Sequence, residues 1–121
     1  MTGRRQTVEL HRAPTAPSLA RAALAGFDHG LPLQRRQDAE LLVSEVVSNA
    51  VKYGDGADVR VHFERDNGCF RTEVVDEGHG FVPALRDPHT PGGWGLPLVE
   101  TLSDRWGAHE GSTHVWFELT L

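Results

Sequence analysis

Cysteine and lysine are nearly absent from this chain of 121 residues: Cys69 is the single cysteine, and Lys52 stands alone against eleven arginines. One cysteine excludes an intrachain disulfide, and nothing in the sequence argues for secretion. With no glycine loop before Lys52, the Walker phosphate-binding pattern is excluded too, so phosphates would have to be held another way. No apolar run approaches membrane-spanning length. The N-terminal stretch MTGRRQTVELHRAP has basic residues but no apolar segment behind them, which does not fit a signal peptide. A net charge of -5 leaves no basic footprint for nucleic acid. The seven histidines are scattered. His109 and His114 lie five apart across an expected turn, and no set of three or four metal ligands emerges. These absences leave one expected domain over residues 1–121, cytoplasmic, with no direct nucleic-acid or membrane partner.

What is present has a clear order. TVELHR (7–12) alternates and reads as a strand. APTAPSLARAALAGF (13–27) reads as a helix with a proline-rich entry and a cap region at Ser18. LQRRQDAELLVSEVVSNAVKYG (33–54) carries the strongest helical pattern, with Gly54 as its C-cap. ADVRVHFERD (57–66) and CFRTEVVD (69–76) flank an Asn-Gly turn and form a hairpin. Residues 82–92 carry three prolines and read as a loop. A short helix follows over 95–104, with Pro97 in its first turn, and a last hairpin closes the chain. Trp106 and Trp116 are expected as core anchors of that hairpin. Cys69 is expected as a small buried hydrophobe. Hairpin-joined strands with helices between them point to an α+β two-layer sandwich, its helices on one face of the sheet.

The long helix has two faces. Leu42, Val43, Val46, Val47 and Ala50 form an apolar stripe that must be core. Glu45, Asn49 and Lys52 share a second face at spacings of four and three. Read alone, that face is a solvated one with a Glu/Asn pair. Asn49 is nonetheless an indifferent helix former, and its amide oxygen suits Mg²⁺ when a ligand's phosphates supply most of the charge. Glu45, one turn back, could accept a proton from an attacking hydroxyl. In VVDEGHGF (74–81), Asp76 ends a strand and Gly78 and Gly80 follow. A carboxylate there can accept from the exocyclic amine of adenine, whereas guanine presents a carbonyl oxygen that it repels. Glycines beside it let main chain approach a base and ribose. PGGWGLPLVE (91–100) is a second glycine cluster opening a helix, where free amides suit a polyphosphate. Either cluster alone is equally a tight turn, and neither fits the dinucleotide fingerprint.

Taken in order, ELLVSEVVSNAVKYG, DEGHG and GGWGLPLVETLSDRWG resemble the N, G1 and G2 boxes of the histidine-kinase-like ATPases of the GHKL superfamily. The likeness covers nearly the whole chain and is greatest to small stand-alone bacterial domains, among them anti-sigma-factor serine/threonine kinases. It implies a two-layer sandwich with a mixed, mostly antiparallel sheet, and ATP bound between the helices and a lid at about residues 82–92. By position, Glu45 resembles the catalytic base and Asn49 the Mg²⁺ ligand. Asp76 resembles the aspartate under the adenine amine, with Gly78 and Gly80 beside it. Gly93 and Gly95 resemble the glycines at the phosphates, with Trp94 and Leu96 next to them. Lys52 and Tyr53 close the first box and are expected near the nucleotide, although many relatives carry histidine where Tyr53 stands. The lid is short, and Pro97 interrupts the usual run after the third box.

The resemblance leaves the function open between three readings. One is a kinase that transfers the γ-phosphate of ATP to a serine of an antagonist protein and holds a sigma factor inactive. A second is a nucleotide-responsive binding module without phosphotransfer. A third is the catalytic half of a split histidine kinase, although no accepting histidine on a long helix is present. Relatives of this kind often dimerise; no dimer stripe is evident here.

Overall fold

The computed structural model of the protein describes residues 3–27, 30–54, 56–66, 68–76, 96–108 and 114–121. In chain order these form β1 (Arg4–His11), α1 (Ala16–Phe27), α2 (Leu33–Tyr53), β2 (Asp58–Arg65), β3 (Cys69–Asp76), α3 (Leu96–Leu102), β4 (Arg105–Ala108) and β5 (Val115–Thr120). The sheet order is β1-β2-β3-β5-β4. All four pairings are antiparallel. The cause lies in the connections. A single crossover helix returns a chain to start a parallel strand, but α1 and α2 together reverse it twice, so β2 enters beside β1 in the opposite sense. Between β3 and β4 there is one described helix, α3, and those two strands do run the same way. β5 lies between them and pairs antiparallel with both.

Strand alternation divides the sheet cleanly. Leu10, Val59, Val61, Phe63, Phe70, Val74, Val115, Phe117 and Leu119 point inward and are buried. They meet Ala20, Leu24 and Phe27 of α1 and the full expected stripe of α2, Leu42 through Ala50. Phe27 stacks on Phe63 at 5.5 Å between ring centroids and tilts against Phe70 at 6.3 Å, which seats the end of α1 on β2 and β3. Thr72 is fully buried on this inner face, and its hydroxyl has no hydrogen-bond partner among the described residues. An unsatisfied buried hydroxyl is destabilising, so Thr72→Val should raise unfolding free energy by about 1 kcal/mol. A urea titration of the two proteins measures this; a less stable Thr72→Val protein would contradict it.

The other face is polar and bound by charge across the strands. Arg5 meets Glu64 at 2.6 Å, and Arg71 meets Glu118 at 3.0 Å. Glu118 also takes Arg105 at 3.6 Å, and His114 contacts Glu73. Cross-strand pairing carries β1 back to Arg4 rather than to Thr7, where hydrophobic alternation begins, with Arg5 on Glu64 and the Arg4 guanidinium over the Phe27 ring at 5.5 Å. It also corrects the expectation for Trp116. The register sets Trp116 opposite Glu73 and Gly107, on the outer face. There the Arg71 guanidinium covers its ring at 4.3 Å. A Cβ on Gly107 would come within 2.8 Å of the indole Nε1, so Gly107 is the groove that receives the ring. Trp106, one residue out of phase, packs against the core as expected. Cys69 is half-buried, not buried, and lies in phase with the outward residues Arg71 and Glu73 of β3. Burial, then the Glu118 and Asp66 carboxylates, push its thiol pKa up.

The start of α1 differs from expectation, whereas α2 begins at Leu33 as expected. α1 begins at Ala16, leaving Ser18 inside the first turn, where its hydroxyl donates to the Thr15 carbonyl at 3.1 Å. Pro17 fits there because first-turn amides need no intrahelical acceptor. α2 begins after Pro32 without a side-chain cap. Its first turns are held instead by Gln34 and Arg35, both bonded to the buried Asp38. Among the described residues, no helix is long and apolar enough to cross a membrane.

Candidate functional site

The site is built where α2 and β3 end. The two elements pack together, and both run toward the same end of the sheet. Asp76 is the last residue of β3 and continues the inward alternation of Phe70, Thr72 and Val74, which turns its side chain to the helix layer. Gly54 follows α2 as its C-cap, its amide donating to the Ala50 carbonyl at 3.0 Å.

Gly54 and Asp76 meet directly. A Cβ on Gly54 would lie 2.8 Å from Asp76 Cγ, closer still to Oδ2, and 2.5 Å from the Ala50 oxygen. No side chain fits. Glycine at a helix C-cap is ordinarily explained by a left-handed backbone, but Gly54 is extended, with φ −85° and ψ −177°. Space for the Asp76 carboxylate therefore decides its identity. The left-handed turn comes two residues later, at Gly56, with φ 87°.

The second face of α2 grades from core to solvent. Asn49 is 3% exposed, and its Nδ2 has no hydrogen-bond partner among the described residues. Glu45, one turn earlier, is half-buried, and Lys52 is exposed. Tyr53 packs its ring against the core. At 1.5 Å per residue, Asn49 stands about 7 Å along the helix axis from Gly54, and so lies at the Asp76 end of the molecule. A buried amide with an unused donor is costly unless a partner arrives. The two ends of that amide are interchangeable in space, so the group could donate to a phosphate oxygen or offer its oxygen to a cation. The site thus combines an amide of that kind, a half-buried carboxylate one turn away and a second carboxylate held at a strand end. This donor set fits a polar ligand with an amine at one end and anionic oxygens with a divalent cation at the other.

Of the residues expected from the sequence, Lys52 and Tyr53 close α2 next to Gly54 and Asp76, Asn49 lies about one turn earlier, and Glu45 a further turn back toward the middle of the helix. Leu96 is the first residue of α3, which packs against α2 through an element that buries Val99. Gly78, Gly80, Gly93, Trp94, Gly95 and the lid at 82–92 lie outside the described residues. The role of Gly54 against Asp76 is not apparent from the sequence, where a glycine closing a helix has a sufficient explanation in the cap. Arg12 is likewise unmarked: it carries no motif, yet it reaches the same turn.

A solved structure from Mycobacterium tuberculosis, the RsbU and RsbW domains of Rv1364c, shares this fold. It superposes with a TM-score of 0.69 over 96% of this chain at 22% identity, and this chain spans 31% of that one. No curated protein matches the sequence. The model of the histidine kinase-like ATPase domain matches residues 7–119, nearly the whole chain, and the protein belongs to that family.

Proposed function

We propose that the protein binds Mg²⁺-ATP between α2, the end of β3 and the chain that follows, and acts as a serine/threonine protein kinase on a protein partner. The observation that carries this reading is the buried Asn49 amide with an unused donor, on the helix whose end abuts Asp76. ATP supplies a transferable phosphoryl group, and Mg²⁺ screens its charge. Asp76 accepts a hydrogen bond from the adenine amine. Asn49 holds the cation or the phosphate tail through its amide. Glu45 takes the proton of the attacking serine hydroxyl on its carboxylate. By family resemblance, the partners are expected to be a sigma factor and an antagonist protein that bears the serine.

The reading makes Asn49 a residue kept at some cost to folding. Alanine is the better helix former and carries no orphaned amide. Asn49→Ala should therefore melt no lower than the wild type while its Mg²⁺-dependent ATP affinity falls about tenfold or more. Calorimetric titration with ATP, ADP and GTP, with and without Mg²⁺, measures the second effect. Unchanged affinity in the variant removes the metal assignment, and a wild type that binds no adenine nucleotide refutes the whole proposal.

A binding module without phosphotransfer is the second reading. It is favoured by the short lid expected from the sequence at residues 82–92. Nucleotide binding would then alter a docking surface for the partner without chemistry.

A further inference from the structure

Arg12 follows β1 directly and reaches across to the end of α2. Its Nη1 donates to the Val51 carbonyl at 2.8 Å, and its Nε donates to the Gly56 carbonyl at 2.7 Å. Its own amide donates to the Ala57 carbonyl at 2.8 Å, which extends the β1–β2 ladder beyond the His11–Asp58 pair. Val51 lies in the last turn of α2, where carbonyls lack intrahelical donors. The Ala50 carbonyl next to it is taken by the Gly54 amide. One guanidinium therefore bridges the final helical turn and the left-handed turn at Gly56, with Gly54 between the two anchored points. The positive charge also lies favourably at a helix C-terminus.

We propose that Arg12 is a positioning residue for base recognition: it fixes the α2–β2 turn so that Gly54 presents bare main chain to the Asp76 carboxylate. The inference rests on the assignment of Asp76 to the adenine amine. With Nε and Nη1 committed to main-chain carbonyls, Arg12 acts through Gly54 rather than on a ligand. Gly54 has no side chain of its own to lock its position. The clearance to Asp76 is so small that a shift of a few tenths of an ångström in the turn must move the carboxylate. A hydrogen bond that selects an amine over a carbonyl oxygen is sensitive to displacements of that size. Lysine cannot reproduce the clamp, because one ammonium on a flexible stem lacks the planar fork that spans two carbonyls.

The test compares wild type, Arg12→Lys and Arg12→Gln by two readouts. The first needs no nucleotide: amide hydrogen exchange at Gly54 should accelerate about tenfold in Arg12→Gln, with core amides of β2 and β3 unchanged. The second is the ratio of GTP to ATP dissociation constants, which should fall at least about fivefold in Arg12→Gln and by less in Arg12→Lys, with Mg²⁺ dependence intact in both. Unaltered Gly54 exchange and an unaltered ratio in a folded Arg12→Gln protein would overturn the inference. So would equal loss of ATP and GTP affinity, which marks a general structural role. Should Arg12→Gln fail to fold, Arg12→Lys alone decides by the same two readouts. A wild type without adenine preference refutes the Asp76 assignment instead, and that result is seen before any Arg12 variant is measured.

Discussion

Glu45→Ala should lower phosphoryl transfer about 10²–10⁴-fold, the range for a lost general base, while leaving Mg²⁺-ATP affinity within about twofold. The separation follows from the layout of α2. Glu45 and Asn49 are one turn apart on the same face but differ in burial: Asn49 is enclosed, whereas Glu45 is half-open. A half-open carboxylate can reach an incoming hydroxyl and still be solvated when none is present. Its removal should take away a proton acceptor without collapsing the enclosed part of the site. Transfer of label from γ-labelled ATP to the antagonist protein measures the rate, and calorimetry measures the affinity. A Glu45→Ala protein that transfers at the wild-type rate refutes the base assignment. A wild type that binds nucleotide but labels no partner favours the binding module, for which Glu45→Ala is silent.

Asp76→Asn should reduce the preference for ATP over GTP by about 10- to 100-fold, the worth of a charge-assisted hydrogen bond set against a repelled carbonyl. An asparagine amide can turn its nitrogen toward guanine's oxygen, so GTP should gain while ATP loses. The substitution is nearly isosteric, and the contact with Gly54 leaves little room for anything larger. The change should therefore be read in discrimination rather than in folding, and equal melting temperatures would support that. Retained discrimination in a folded Asp76→Asn protein refutes the role. Gly54→Ala is the matching perturbation from the helix side, because its methyl group would have to displace the same carboxylate.

The apolar stripe of α2 was legible because every member, Leu42 through Ala50, obeys one period and is buried against the sheet. The β2–β3 hairpin was legible for a similar reason: its two strands keep strict alternation on either side of the Asn-Gly pair. The start of β1 was not, because Arg4 to Gln6 are held by partners more than fifty residues away and show no local apolar pattern. Trp116 was misplaced because size argues for the core, whereas cross-strand register places the ring above Gly107 and below Arg71. At the candidate site, Asn49, Glu45 and Asp76 stand out in the sequence by residue type and spacing. The fit of Gly54 to Asp76 is a relation between a helix end and a strand end, and no spacing along the chain encodes it. The same holds for Arg12, whose acceptors are main-chain oxygens that carry no sequence signature.

The pairing of β1 with β2 has a kinetic consequence. The α1–α2 pair and the β2–β3 hairpin each join neighbours in the chain, so little loop-closure entropy opposes them. β1 pairs with β2 across 47 to 61 residues, so its addition costs more loop-closure entropy than either of those local units. Arg12 arrives with that strand. The α2–β2 turn is therefore completed only when β1 is in place, and a partly opened chain that has lost β1 would also lose the clamp on the Val51 and Gly56 carbonyls.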